Sequence, residues 1–258
     1  MHNYIFNSGV NIIYDGIIAI SNVELLSSIN ETNDFIKKLG EMSCNNGIDI
    51  FPLLGMRNLS GFVGESFAKN IVRCSNGKLE SNLHQDGYPD LLLVDTPAKR
   101  SYYESLYTEV NGVKRPNSKA DFSPFLYGGI EIKATCGTVP PASATQPKLA
   151  MGEQRIDLLT GFDWKAHHRT TNHLLGILWD FIAGIPQIVA CFYQDALTVN
   201  DWGKIVKPRK GGGRTTSVSI MTQAGVKKMC SNWVAVLDDD KYISKLASAK
   251  WIGARIKP

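Results

Sequence analysis

This 258-residue chain is poor in cysteine. Cys44, Cys74, Cys136, Cys191 and Cys230 are odd in number, and no two of them stand in CxxC spacing. That argues against a thiolate zinc site and against a disulfide framework, so a reducing cytosol is the expected compartment. Neither HExxH nor GxxxxGK[ST] occurs, which removes the metalloprotease and P-loop readings. His167, His168 and His173 do not share a helical face cleanly, which favours phosphate contacts or packing over metal binding. No basic stretch followed by an apolar core opens the chain, so no secretion leader is expected. The most apolar window, 174–193, is broken by Asp180, Gly184 and Pro186, and no membrane span is expected from it. There is no internal repeat.

What remains is the composition of an ordinary soluble domain. With 43% hydrophobic and 20% charged residues, the chain is long enough to bury a real core. A formal net charge of +4 permits a nucleic-acid partner without demanding one. Ser21-Asn-Val-Glu24 has the form of a capping box and opens a helix predicted over 21–39, with Leu25, Leu26, Ile29, Phe35, Ile36 and Leu39 as its apolar stripe. A loop with Asn45, Asn46, Gly47 and Pro52 precedes a second predicted helix at 60–73, which carries Glu65. Two short apolar runs, 91–94 and 130–135, read as strands. The stretch between them, 96–127, is polar and aromatic, contains Asn111-Gly112 and reads as a hairpin-like excursion. Tyr102, Tyr103, Tyr107 and Tyr127 pack it or stack on a base.

A loop is expected at 136–147, a helix at 164–181 and a strand at 187–193. A short helix near Trp202, capped by Asn200, follows. Beyond it come a basic glycine-rich loop at 207–214, a strand at 215–221, a short helix, a strand at 233–237 and a basic tail. Such alternation points to an α/β (α+β) fold, a mixed sheet flanked by helices. The expected organisation is one domain over 1–258, with a helical N-terminal part to about residue 58.

The chemistry concentrates in Pro89-Asp90 and in Glu131-Ile132-Lys133. Hydrolysis of a phosphodiester needs a divalent cation near the phosphate, an activated water and neutralisation of developing charge. Asp90 and Glu131 can each give Mg²⁺ a carboxylate. Glu131 and Lys133 stand two apart on a predicted strand and so share a face, which sets an ammonium beside the carboxylate. Ile132 belongs to the same metal-binding stretch, although its side chain points into the core. The plain alternative is that Asp90 caps a turn while Glu131 and Lys133 decorate an exposed strand.

The pattern resembles the PD-(D/E)xK nuclease superfamily, and more narrowly its type II restriction endonucleases. Residues 84–90 (HQDGYPD), 128–135 (GGIEIKAT), 163–169 (DWKAHHR), 175–180 (LGILWD) and 211–217 (GGGRTTS) are similar to the ScaI-like restriction endonuclease family, over roughly residues 60–237. That resemblance implies a homodimer that cuts both strands of a short palindrome with Mg²⁺ and leaves 5′-phosphates. Asp90 and Glu131 would be the metal ligands and Lys133 would contact the attacking water. It also implies an acidic residue on an earlier helix, for which Glu65 is the candidate, and a companion DNA methyltransferase. A repair or junction-resolving nuclease of the same superfamily, or a non-enzymatic DNA-binding protein, are the alternatives.

Double-stranded DNA would meet Lys165 and Arg169, i,i+4 neighbours on the helix expected at 164–181. It would also meet Arg209, Lys210, Arg214, Thr215, Thr216 and Ser217 in the basic loop and the strand after it. Thr138, Ser143 and Thr145, in the loop that leaves the ExK strand, would face DNA as well. For the basic residues the plain alternative is a solvated surface.

Overall fold

Short apolar runs alternate with capped helices, and in the computed structural model they build one mixed sheet covered on both faces. The structure describes residues 2–14, 16–84, 87–118, 129–143, 147–167, 169–207 and 217–253. The chain opens with β1 (Tyr4–Phe6), the small hairpin β2 (Ile12–Tyr14) and β3 (Ile17–Ile20), and the helices α1 (Asn22–Asn45) and α2 (Ile50–Cys74). Then come β4 (Leu79–Ser81), β5 (Leu91–Leu93), α3 (Pro97–Ser105), the hairpin β6 (Tyr107–Val110) and β7 (Val113–Pro116), and β8 (Gly129–Thr135). The second half holds β9 (Lys165–Ala166), β10 (Leu174–Ile182), β11 (Ile185–Gln194), β12 (Ser219–Ile220), α4 (Gln223–Ser231), β13 (Trp233–Leu237) and α5 (Asp240–Ser248).

Seven strands form the central sheet in the order β1-β13-β11-β10-β8-β5-β4. β8 and β10 pair in parallel and every other neighbouring pair is antiparallel. A parallel pair needs a long crossover, and residues 136–173 supply it. Side chains alternate across the sheet. Leu175, Ile177, Trp179 and Phe181 of β10 join Leu25, Ile29 and Ile36 of α1 and Leu59, Val63 and Phe67 of α2 in one core. Leu174 and Leu178 join Trp164, Trp202, Met229 of α4 and Tyr242 and Leu246 of α5 in the other. Each such buried aliphatic or aromatic side chain contributes about 1.5–3 kcal/mol before entropy is counted.

The Ser21 capping box forms as expected. The Ser21 N–H donates to Glu24 Oε2 at 2.7 Å and the Glu24 N–H donates to Ser21 Oγ at 3.3 Å. α1 runs on to Asn45 rather than stopping near 39. α2 starts at Ile50, capped by Asp49, and breaks at Gly55 (φ 66°, ψ 162°) before its long second piece. Pro52 lies in its first turn, where no amide partner is required.

The expected helix at 164–181 is absent. Those residues form β9 and β10 instead, with β10 buried along nearly its whole length on both faces. A continuous apolar run has no period to separate a buried strand from a buried helix, and burial on both sides is what a strand inside a sheet with parallel pairing requires. Lys165 and Arg169 are therefore not neighbours on a helix. The turn near Trp202 is a 3₁₀ turn at Val199–Asp201, capped by Thr198 rather than Asn200. Part of the expected basic tail is α5, capped by Asp239 and anchored by Tyr242, Ile243 and Leu246.

Residues 1–58 hold three strands as well as helix. β1 joins the sheet beside β13, and α2 runs through residue 58. The excursion starts with α3 and continues as the β6-β7 hairpin, which turns at Asn111-Gly112 with φ of 54° and 74°. Both central positions of a tight primed turn need positive φ. Among the described residues no helix is long and apolar enough to cross a membrane.

Candidate active site

Pairing between β5 and β8 is short. Leu91 faces Ile130 and Leu92 faces Gly129. Beyond Leu91 the Asp90 side chain takes over from the backbone ladder: its Oδ2 accepts the Ile132 N–H at 2.8 Å. The Asp90 N–H in turn donates to Glu131 Oε2 at 3.2 Å. The two strands can come this close because residue 129 is glycine. A Cβ there would lie 2.0 Å from the Leu91 carbonyl oxygen and 2.3 Å from Pro89 Cγ. The pairing thus brings the PD turn onto the ExK strand, and Asp90 onto Glu131.

Lys133 completes the cluster. Its Nζ lies 2.6 Å from Glu131 Oε1 and 3.3 Å from Asp90 Oδ2, so both carboxylates converge on one ammonium. Glu131 is almost fully buried, with 4% of its surface exposed, which rules out the exposed-strand alternative for this residue. Burial pushes its carboxyl up to about 7; Lys133 opposes that shift and the Asp90 charge adds to it. Burial alone would lower the Lys133 pKa, but the Asp90 and Glu131 charges outweigh it and hold the ammonium above its ordinary value.

Through Asp90 and Lys133, with Glu131 buried and not lining it, the cluster forms part of the wall of a cavity of about 890 Å³ between α2 and the face of β8 and β9. Asp90 and Lys133 line it, as do Arg57, Gly61, Gly64 and Glu65 of α2, together with Asp163, Lys165 and His167. α2 approaches β8 closely because Gly64 faces Ala134, with 3.4 Å from a built Cβ to the alanine Cβ. Glu65, expected on an earlier helix, is exposed in that cavity and makes no hydrogen bond or ion pair among the described residues.

Asp163 was not singled out from the sequence. It accepts a short hydrogen bond from the Thr135 hydroxyl and pairs with Lys165 Nζ at 2.6 Å. Asp163-Trp164-Lys165 thus repeats the acid-x-lysine spacing of Glu131-Ile132-Lys133 and its ion pair. The spacing was visible, but Asp163 stood just before the expected helix at 164–181, which gave it no face in common with Lys165; in the structure it lies in the extended segment that leads into β9.

The other expected contacts divide. Ile132 lines the cavity but its side chain lies in the core, so only its carbonyl can serve a metal. Arg169 does not line the cavity. Its guanidinium donates to the Val199 carbonyl at 2.6 Å and the Trp202 carbonyl at 3.2 Å, tying the 3₁₀ turn in place. Thr138 is exposed, its hydroxyl 3.3 Å from that of Thr160, and it does not line the cavity. The Ser217 carbonyl accepts from His167 Nδ1 at 2.9 Å. His173 packs on Tyr14 with ring centroids 4.2 Å apart, and among the described residues its buried Nδ1 has no partner, in keeping with a packing role. Arg209, Lys210, Arg214, Thr215 and Thr216 lie outside the described residues, as do His168, Tyr127 and Thr145.

Among the described residues no three His, Cys, Asp or Glu side chains gather into one group able to hold a metal. Mg²⁺ asks for less: one or two carboxylates, several waters and a substrate phosphate. Asp90 and Glu131, already turned on a single cation at the cavity wall, fit that donor set. Comparison with protein-family models, with curated proteins and with solved structures finds no match to this chain.

Proposed function

We propose that this chain is a Mg²⁺-dependent deoxyribonuclease built on a PD-(D/E)xK core, and that it cuts double-stranded DNA at a specific site as a type II restriction endonuclease. The convergence of Asp90 and Glu131 on Lys133, at the wall of an open cavity, carries this reading. A purely structural ion cluster gains little by facing a cavity, since buried pairs offset their desolvation only with full satisfaction.

Asp90, Glu131 and the Ile132 carbonyl would hold Mg²⁺, which when bound neutralises charge on the phosphate and acidifies water. Lys133, with its carboxylate partners engaged elsewhere, can hydrogen-bond the attacking water and offset the charge that builds on the phosphate. Water attacks phosphorus, its proton leaves to solvent or to a cavity base, and the bond to O3′ breaks. The products are a 3′-hydroxyl, once O3′ has taken a proton, and a 5′-phosphate. Glu65 stands in the same cavity as a further carboxylate. Lys165 and the basic 207–217 segment, with Arg209, Lys210, Arg214, Thr215, Thr216 and Ser217, would grip the DNA. One such site cuts one strand, so cutting both strands calls for a homodimer. A cytosolic partner methyltransferase would protect the host.

A digest of a sequenced, unmethylated plasmid tests this. Discrete fragments that require Mg²⁺, vanish with EDTA and vanish in Lys133→Ala are the expected result. A smear, or a preference for branched DNA with the same dependence, keeps the catalytic residues and overturns the restriction role. An intact plasmid across many sites overturns the nuclease.

A further inference from the structure

Among the described residues, one cation that lines the cavity beside Asp90 has no partner in the chain. Lys133 is held by Glu131 and Asp90, Lys165 by Asp163, and His167 donates to the Ser217 carbonyl. Arg57 lies on α2 just past the Gly55 break. It is exposed, it lines the same cavity, and among the described residues it makes no hydrogen bond or ion pair.

Four residues on, Gly61 shares that face of the helix and also lines the cavity. A Cβ built on Gly61 meets nothing within 4 Å. Glycine inside a helix is less stable than alanine there, and among the described residues no packing demands it at residue 61. An open stretch of helix beside an unpaired guanidinium matches the needs of a phosphodiester backbone. Arginine offers phosphate oxygens a planar fork of donors, and a missing side chain lets the backbone come close.

We propose that Arg57 and Gly61 form a phosphodiester-binding subsite on α2, taking the DNA backbone next to the phosphate presented to Asp90 and Lys133. The choice of DNA rests on the nuclease reading, but the subsite concerns binding and is measured without cleavage.

The experiment is fluorescence anisotropy of a labelled duplex in EDTA across a sodium chloride series, run beside the plasmid digest. Arg57→Ala is expected to weaken binding about tenfold and to reduce the slope of log K against log salt by about one, as loss of one phosphate contact requires. Arg57→Lys keeps the charge and so keeps the slope. Gly61→Leu sets an apolar side chain in the cavity, starting from a Cβ that meets nothing within 4 Å. It is expected to weaken binding while its thermal midpoint stays at or above that of the wild type, which separates blocked binding from unfolding.

If the wild type binds and cuts while Arg57→Ala matches it in affinity and slope, the subsite is overturned and the nuclease stands. If the wild type binds duplex in an Arg57-dependent way but does not cut, the subsite stands and the nuclease falls. A wild type that binds no duplex overturns both.

Discussion

Asp90 and Glu131 hold each other across the end of a strand pair: the Asp90 N–H donates to the Glu131 carboxylate at 3.2 Å, while the Asp90 carboxylate takes the next amide of the opposing strand, that of Ile132, at 2.8 Å. One aspartate therefore finishes a β ladder and contributes a carboxylate to the cluster. Its two tasks separate by substitution.

Asp90→Ala leaves the Ile132 N–H without its acceptor and removes one partner of Lys133. A loss of about 1–3 kcal/mol in urea unfolding is expected. Asp90→Asn retains an acceptor oxygen, so its urea midpoint should fall less, yet the proposed metal-dependent cleavage should be lost as fully as in the alanine variant. An asparagine variant that cuts at the wild-type rate would take Asp90 out of the catalytic set.

Glu131 sets a pH dependence. Its carboxyl is raised from 4.5 to about 7 by burial, so the folded chain holds a proton there that the unfolded chain has released. Its contribution to stability is accordingly undiminished in acid, falls as pH rises from about 4.5 to about 7, and is level above that. The difference is on the order of 3 kcal/mol. On the proposed reading Mg²⁺ would bind only the ionised form, so its affinity should climb over the same window and level off above it. Thermal melts in EDTA and in Mg²⁺ across this range are the measurement. Glu131→Gln should flatten both curves, and a variant that still shows the rise in Mg²⁺ affinity would place the titrating group elsewhere.

Two glycines at the site are expected to behave in opposite ways. At Gly129 a methyl group would drive into the Leu91 carbonyl oxygen, at 2.0 Å, where only backbone movement can relieve it. Gly129→Ala should cost about 3 kcal/mol or more and separate Asp90 from Glu131. At Gly61 the methyl meets open space, so Gly61→Ala should be neutral or stabilising by up to about 1 kcal/mol. Denaturant titration of the pair decides it, and equal losses at both positions would contradict the geometry.

Glu65 is exposed in the cavity and unpaired among the described residues, so Glu65→Gln should leave stability within about 0.5 kcal/mol of wild type. If it completes the metal site through a bound water, Mg²⁺ affinity should drop about tenfold, the low end for an outer-shell ligand partner. Calorimetric titration with Mg²⁺ reads this directly, and an unchanged isotherm would reduce Glu65 to a surface residue of α2.

Several elements were legible from a few neighbouring residues. The Ser21–Glu24 box opens α1, and residues 233–237 are the strand their β-branched and aromatic content implied. The turn at Asn111-Gly112 needed only its own two residues, and the two-residue spacing of Glu131 and Lys133 set them on one face of β8 as soon as β8 was a strand.

What the tertiary structure alone decided involves surfaces supplied from far along the chain. Residues 174–182 became a strand because α1 and α2 cover one side of it and α4 and α5 the other, and an unbroken apolar run carries no trace of which partners will arrive. Asp163 has its place beside Thr135 because the crossover returns to the end of β8. Glu131 reads as a surface glutamate by type. It is buried because the Pro89-Asp90 turn and Lys133 close over it, and that enclosure, rather than any local property, raises its proton affinity.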